Sequence, residues 1–267
     1  MTDWDDAFDN VGHVPNALGY FETWEKQAKA FRDGDIKQDL SLSYGSADRQ
    51  KLDIFWPDTK PKGLVIFIHG GYWIRLDRSY FSHLAAGPLA NGWAVAIPSY
   101  TLAPDARING ITREISQAVA FAASKVDGPI RIAGHSAGGH LATRMICKDS
   151  PIDTATQNRI IKTLSISGLH DLRNLLKTNL NKTLNLTPSE AATESPSLNV
   201  PMENAKLICW VGSIERPEFI RQSHLLRDIW VKRGADIDVY LDGMKHHFDV
   251  IDGLSKPNSP LTQTLLG

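Results

Sequence analysis

Cysteine is scarce in this chain: the 267 residues hold only two, Cys147 and Cys209, far apart and each inside an apolar run. That excludes a disulfide framework and suits buried, reduced thiols, so a cytoplasmic location is expected. Long hydrophobic runs are missing too. None reaches the roughly 18–20 residues that span a bilayer, and the acidic start MTDWDDAFDN lacks the basic and apolar blocks of a secretion signal. Nor is there an excess of charge of either sign. Lys and Arg total 29 against 30 Asp and Glu, a formal net charge of −1, which gives no field for gripping nucleic acid or an anionic membrane. Internal repeats and low-complexity tracts are absent. The expectation is a soluble globular protein with room for one large core.

What is present is a change of rhythm along the chain. Residues 1–16 read as irregular. Tyr20, Trp24, Ala28 and Phe31 then fall at helical spacing, which predicts an amphipathic helix. Leu40, Leu42 and Tyr44 alternate, GSADRQ supplies a turn, and KLDIFWP continues the alternation, the pattern of an antiparallel hairpin. From GLVIFIHG (63–70) onward, apolar runs alternate with helical stretches at about 79–91, at 111–122 and at 217–233, where Pro217 sits in the first turn. This predicts an α/β fold: a mostly parallel central sheet with an antiparallel N-terminal edge and helices on both faces. The expected organisation is an N-terminal helical segment, 1–39, followed by a catalytic α/β domain, 40–267. The polar stretch 173–204 reads as a cap-like insertion in that domain.

One corner carries chemistry. IRIAGHSAGGHLATRM (130–145) runs a strand into a helix through Gly134-His135-Ser136-Ala137-Gly138, the G-x-S-x-G nucleophile elbow in the strand–turn–helix context that motif demands. Glycines two residues either side leave room for a strained, projecting serine. The helix that starts at Ala137 aims backbone N–H groups at negative charge forming beside the hydroxyl. A second loop, His69-Gly70-Gly71-Tyr72-Trp73, ends the first buried run. An HGG-type loop supplies the opposing oxyanion donor, so the candidate oxyanion hole is the N–H of Gly71, Tyr72 and Ala137. His69 reads as a brace for that loop. Tyr72 and Trp73 are candidates for contacting substrate.

A serine needs a base and an orienting carboxylate. Among the histidines after Ser136, only those of MKHHFDVID (244–252) follow the last strand in a loop. Adjacent side chains cannot both reach one hydroxyl, and the residues alone leave His246 and His247 open. For the acid, VGSIERPEF leaves a strand at Glu215, preferred over Glu218, which a helix dipole already explains, and over Asp171. Adjacent histidines lack the spacing of a zinc-binding H-E-x-x-H helix, and no metal site is expected.

With these residues placed, the chain resembles the arylformamidase (kynurenine formamidase) branch of the α/β-hydrolase superfamily, near the hormone-sensitive-lipase-like esterases. The resemblance rests on HGGYW, SYTLAPDARINGITREI, GHSAGGHLA, VGSIERPEF and HHFDVID, and spans about residues 40–265. It implies a serine hydrolase with no metal and no organic cofactor, and it maps the base onto His247, directly before Phe248. Where relatives often carry aspartate after Val-Gly, this chain offers Glu215. The implied reaction is hydrolysis of N-formylkynurenine to kynurenine and formate, with a short-chain carboxylesterase or thioesterase as the alternative. A more distant one is a non-catalytic binding protein of the same fold. The implied partner is a small acyl substrate, aromatic in the formamidase reading. The exposed face of the early aromatic helix is a candidate for pairing two copies in a homodimer, or for closing over the site as a lid.

Overall fold

The run Leu64–Ile68 is apolar at every position, and all five residues are buried. The period of two sends Leu64, Ile66 and Ile68 to one face of the sheet and Val65 and Phe67 to the other. Both faces are covered. Ile111, Ile115 and Val119 of the helix Ile108–Lys125 meet the first set, and Trp24 and Phe81 meet the second. Fully burying one such aliphatic side chain contributes about 1.5–3 kcal/mol, which is why a strand without polar positions belongs at the centre.

The computed structural model describes residues 2–267. Its strands are β1 (Gln38–Ser43), β2 (Lys51–Phe55), β3 (Leu64–Ile68), β4 (Ala94–Pro98), β5 (Ile130–His135), β6 (Ile160–Ile166), β7 (Lys206–Gly212) and β8 (Asp236–Asp242). They form one sheet in the order β1-β2-β4-β3-β5-β6-β7-β8. β2 runs antiparallel to β1 and β4, and every later pairing is parallel. This is the expected mostly parallel α/β sheet with an antiparallel N-terminal edge. The parallel strands end on a common side, where ligands bind in open sheets of this kind.

Two local expectations are corrected. The stretch read as irregular, 1–16, is not so over its described residues: 2–16 hold α1 (Trp4–Phe8) and α2 (Asn10–His13) before the long α3 (Ala17–Arg32). Asp3 caps the first through the Asp6 N–H at 3.2 Å, and Asp9 caps the second through the Gly12 N–H at 2.8 Å. Such short helices gain little from propensity and are held by caps and packing. The stretch 79–91 is likewise not one helix but two 3₁₀ turns, Arg78–Tyr80 and Ser82–Ala85, and a short helix Ala86–Ala90. A Cβ on Gly87 would lie 2.3 Å from the Leu254 carbonyl oxygen, so close packing fixes the chain there. Pro88, without an N–H, cannot propagate a longer helix.

Candidate active site

Ser136 follows β5 with φ 56° and ψ −119°, a left-handed backbone that costs a non-glycine residue about 1–3 kcal/mol. The surroundings hold it there. Its N–H donates to the Ile166 carbonyl at 2.8 Å, and its own carbonyl accepts from the His140 N–H at 3.1 Å. A Cβ on Gly134 would sit 2.0 Å from the Gly138 oxygen, and one on Gly138 would sit 2.0 Å from the Ile68 oxygen. Both flanking glycines are therefore required by backbone contact.

The loop after β3 rests on this corner. A Cβ on Gly70 would come within 2.9 Å of the Ser136 Cβ. Gly71, Tyr72 and Trp73 follow with φ of 104°, 50° and 59°, a curl closed by the Ile74 and Arg75 N–H groups donating to the Gly71 carbonyl at 3.0 and 3.1 Å. The curl and the start of the helix Ala137–Arg144 leave the N–H groups of Gly71, Tyr72 and Ala137 with no acceptor among the described residues. His69 lies beneath, stacked on Tyr100 at 4.3 Å, its Nδ1–H donating to the Gly70 carbonyl at 2.8 Å. Burial lowers its pKa to about 4, so it is a neutral brace at neutral pH.

His247 and Glu215 meet at the ends of β8 and β7. His247 Nδ1–H donates to Glu215 Oε2 at 2.7 Å. Glu215 Oε1 accepts from Ser167 Oγ–H at 2.5 Å and from the Gly212 N–H at 2.8 Å. The pair is buried, with side chains 5% and 0% exposed. Since a carboxylate only accepts, Nδ1 carries the proton and Nε2 is the basic nitrogen of neutral His247. His247 and Ser136 line the same cavity, of about 650 Å³. Ser136 Oγ has no hydrogen-bond partner among the described residues. His135, the variable residue of the elbow, donates from Nε2 to the His247 carbonyl at 2.8 Å. Burial and the neighbouring His247 hold its pKa well below the usual range, so it stays an uncharged donor.

The alternatives lie elsewhere. His246 accepts at Nδ1 from the Phe248 and Asp249 N–H groups at 3.2 and 3.3 Å, and its Nε2 faces the Tyr20 hydroxyl at 3.0 Å. Glu218 is clasped by Arg221 at 2.7 Å through both oxygens, and Asp171 is paired with Arg173. Tyr72 lines the cavity and donates its hydroxyl to the Phe8 carbonyl at 2.6 Å. Trp73 does not. It is fully buried, edge-on to His140 at 5.2 Å, because the third left-handed residue of the curl turns its side chain into the core. The expectation that it contacts substrate is corrected. Sequence reasoning placed a cap-like insertion at 173–204 and a candidate lid near the N-terminus but named none of their cavity residues: Phe8, Asn10 and Val11 line the cavity, as do Thr178, Leu180 and Thr183 from the polar stretch after β6. Hydrogen bonds from Asn179 to Asp5, at 2.6 and 2.7 Å, and an ion pair between Asp6 and Arg216 tie the roof down. The aspartates of DWDDAFDN were the available signal.

No helix among the described residues is long and apolar enough to cross a membrane, and no cluster of three or more His, Cys, Asp or Glu there is placed to hold a metal ion.

Comparison with known proteins agrees with this architecture. The sequence profile of the BD-FAE family matches residues 52–222. The kynurenine formamidase of Salmo salar is 29% identical over 238 residues, covering 85% of this chain and 80% of the relative. A crystal structure from Silicibacter sp. TM1040, provisionally designated a thioesterase, is 43% identical with TM-score 0.95 and covers 100% of both chains. Esterase B of Lactobacillus rhamnosis, solved with a tributyrin phosphonate inhibitor, is 16% identical with TM-score 0.69 over 94% of this chain and 93% of its own, a likeness of fold. With its profile matched and its sheet shared with esterases, this chain belongs to the BD-FAE family and is an α/β-hydrolase, an enzyme akin to the kynurenine formamidases and esterases.

Proposed function

We propose that the protein is a serine hydrolase acting on N-formylkynurenine, with Ser136 as nucleophile, His247 as general base and Glu215 as the orienting acid. One observation carries the assignment: the hydrogen-bonded chain from Ser167 through Glu215 to His247 ends in the cavity that holds the strained elbow serine. On substrate entry the Ser136 hydroxyl turns toward Nε2, a contact that commonly tightens only in the complex. His247 Nε2 takes the hydroxyl proton as Oγ bonds to the formyl carbon. The oxyanion is held by the N–H groups of Gly71, Tyr72 and Ala137, which have no other acceptor among the described residues. The intermediate collapses with transfer of the Nε2 proton to the departing arylamine, leaving a formyl ester on Ser136. Water, deprotonated by His247, repeats the cycle and releases formate. Within the 1–39 segment, residues 2–39 act as a roof that keeps bulk water from the ester, and the 173–204 stretch serves as its opposing cap.

The formamide reading draws on the kynurenine formamidase relatives, which match over most of this chain. A second reading, short-chain ester or thioester cleavage, draws on the Silicibacter protein. Purified enzyme given N-formylkynurenine, nitrophenyl acetate and an acyl thioester decides between them. The formamidase reading requires kcat/KM on the formamide to exceed the other two. Brisk ester or thioester cleavage beside negligible formamide turnover removes it. A fluorophosphonate probe that labels wild type but not Ser136→Ala tests the nucleophile, and absence of labelling at Ser136 refutes a serine mechanism.

A further inference from the structure

The cavity roof holds a polar side chain with no partner among the described residues. Asn10, the first residue of α2, lines the cavity and is 3% exposed, yet neither Oδ1 nor Nδ2 has a hydrogen-bond partner among the described residues. Buried polar groups are overwhelmingly paired, and an orphan that faces a cavity calls for an explanation. Trp24, which also lines the cavity, has an Nε1–H with no partner among the described residues. The charged groups are unevenly satisfied. Asp5 is engaged by Asn179, Asp6 by Arg216 and Asp9 by the Gly12 N–H. Arg75, exposed at the end of the Gly71 curl, lines the cavity, and its guanidinium makes no hydrogen bond or ion pair among the described residues.

A carboxamide with both ends free matches a ligand that presents a donor and an acceptor side by side. A guanidinium without a partner among the described residues, on the same cavity, matches an anion. Roof carboxylates in the same cavity favour a cation. One small chemical group has all of these features, an α-amino acid in its zwitterionic form. A neutral carboxamide would satisfy Asn10 but leave Arg75 without a partner.

We propose that Asn10 and Arg75 are the specificity-determining residues of a leaving-group subsite for an α-amino acid. Asn10 Oδ1 accepts from the ammonium, Asn10 Nδ2 donates to the carboxylate, and Arg75 is the second anchor of that carboxylate. This rests on the reading that the Ser136 cavity is the site of acyl transfer, and adds to it that substrate selection resides in the N-terminal roof together with the end of the Gly71 curl. A subsite built to hydrogen-bond a group discriminates strongly against an analogue that lacks it.

The test is calorimetric binding of L-kynurenine and of 2-aminoacetophenone to the full chain. The second ligand keeps the aryl ketone and the amine but has no amino acid. Kynurenine is expected to bind at least about tenfold more tightly, and Asn10→Leu and Arg75→Met should each lower its affinity about tenfold. The loss in Arg75→Met should shrink at high ionic strength. Asn10→Leu keeps the side-chain shape and deletes two orphaned polar atoms, so its Tm should equal or exceed that of wild type, the opposite of what a structural role requires. The subsite is overturned if kynurenine binds no better than 2-aminoacetophenone, if both variants bind kynurenine as wild type does, or if both ligands weaken equally. Turnover of N-formylkynurenine is read in parallel. Intact, variant-sensitive kynurenine binding without turnover removes the formamidase reading alone, whereas turnover with binding indifferent to both variants removes the subsite alone.

Discussion

Replacing Glu215 by glutamine exchanges one oxygen for an NH₂, and the surrounding donors dictate where that NH₂ must go. Three donors converge on the native carboxylate: Ser167 Oγ–H and the Gly212 N–H on Oε1, and His247 Nδ1–H on Oε2. If the glutamine carbonyl takes the His247 side, its NH₂ faces Ser167 and Gly212. Ser167 can turn its hydroxyl to accept, but the buried Gly212 N–H is left unpaired at a cost of about 1–3 kcal/mol. If the carbonyl keeps Ser167 and Gly212, the NH₂ faces Nδ1. The imidazole then has only to shift its proton to Nε2, a smaller penalty. The second arrangement wins, and it is the tautomer that cannot accept a proton from Ser136. The expected result is a fall in kcat of about 10⁴-fold with KM little changed, near 5.5 kcal/mol of transition-state stabilisation. The assay is steady-state hydrolysis of N-formylkynurenine and nitrophenyl acetate, with Tm as the folding control. Glu218→Gln and Asp171→Asn, whose carboxylates are held by Arg221 and Arg173, should stay within about tenfold of wild type by the same assay. A folded Glu215→Gln enzyme that keeps more than a tenth of wild-type kcat refutes the reasoning.

Other perturbations follow from the same geometry. Gly138→Ala places a Cβ 2.0 Å from the Ile68 carbonyl oxygen, and because backbone must move to relieve it, Tm should fall by several degrees and Ser136 labelling should collapse together. His69, His140 and His170 are fully buried, with pKa lowered by burial to about 4, 3 and 3. Below pH 6.5 the unfolded chain binds protons that the folded one refuses, so stability is full above that pH and is lost as pH falls toward 4. The slope is up to about 1.4 kcal/mol per pH unit for each histidine. Chemical denaturation between pH 8 and 5 reads this, and a stability that does not change over that range contradicts it. Cys147 and Cys209 are buried with thiols pushed up to about 12, so iodoacetamide should leave native activity intact and alkylate only unfolded protein; inactivation of folded enzyme would point to a thiol in the chemistry.

The readable parts of this chain were those decided within a few residues. An apolar run such as Leu64–Ile68 is buried on both faces because alternation leaves no polar side to expose. The Gly134–Gly138 corner was visible because a strand-to-helix turn that tight admits no Cβ beside the serine, whatever the rest of the molecule does. The helix Pro217–Val231 announced its start through a proline that lacks only an N–H no helix start uses.

Choices among chemically equal neighbours were left to tertiary structure. His246 and His247 have the same side chain and the same loop. They separate only because α3 brings Tyr20 to one, and β7, distant in sequence, brings Glu215 to the other. Tyr72 and Trp73 share one curl, and core packing against His140 decides which ring leaves the cavity. The N-terminal residues lacked a readable period because their helices are too short to show one, and they become ordered by caps and by contacts with residues 72, 179 and 216. Sequence by itself determined the sheet, its handover to helices and the strained serine, because local sterics and burial set them. The roof, the buried carboxylate–imidazole pair and the unpaired Asn10 depend on contacts between residues far apart in the chain, and those exist only once the chain has folded.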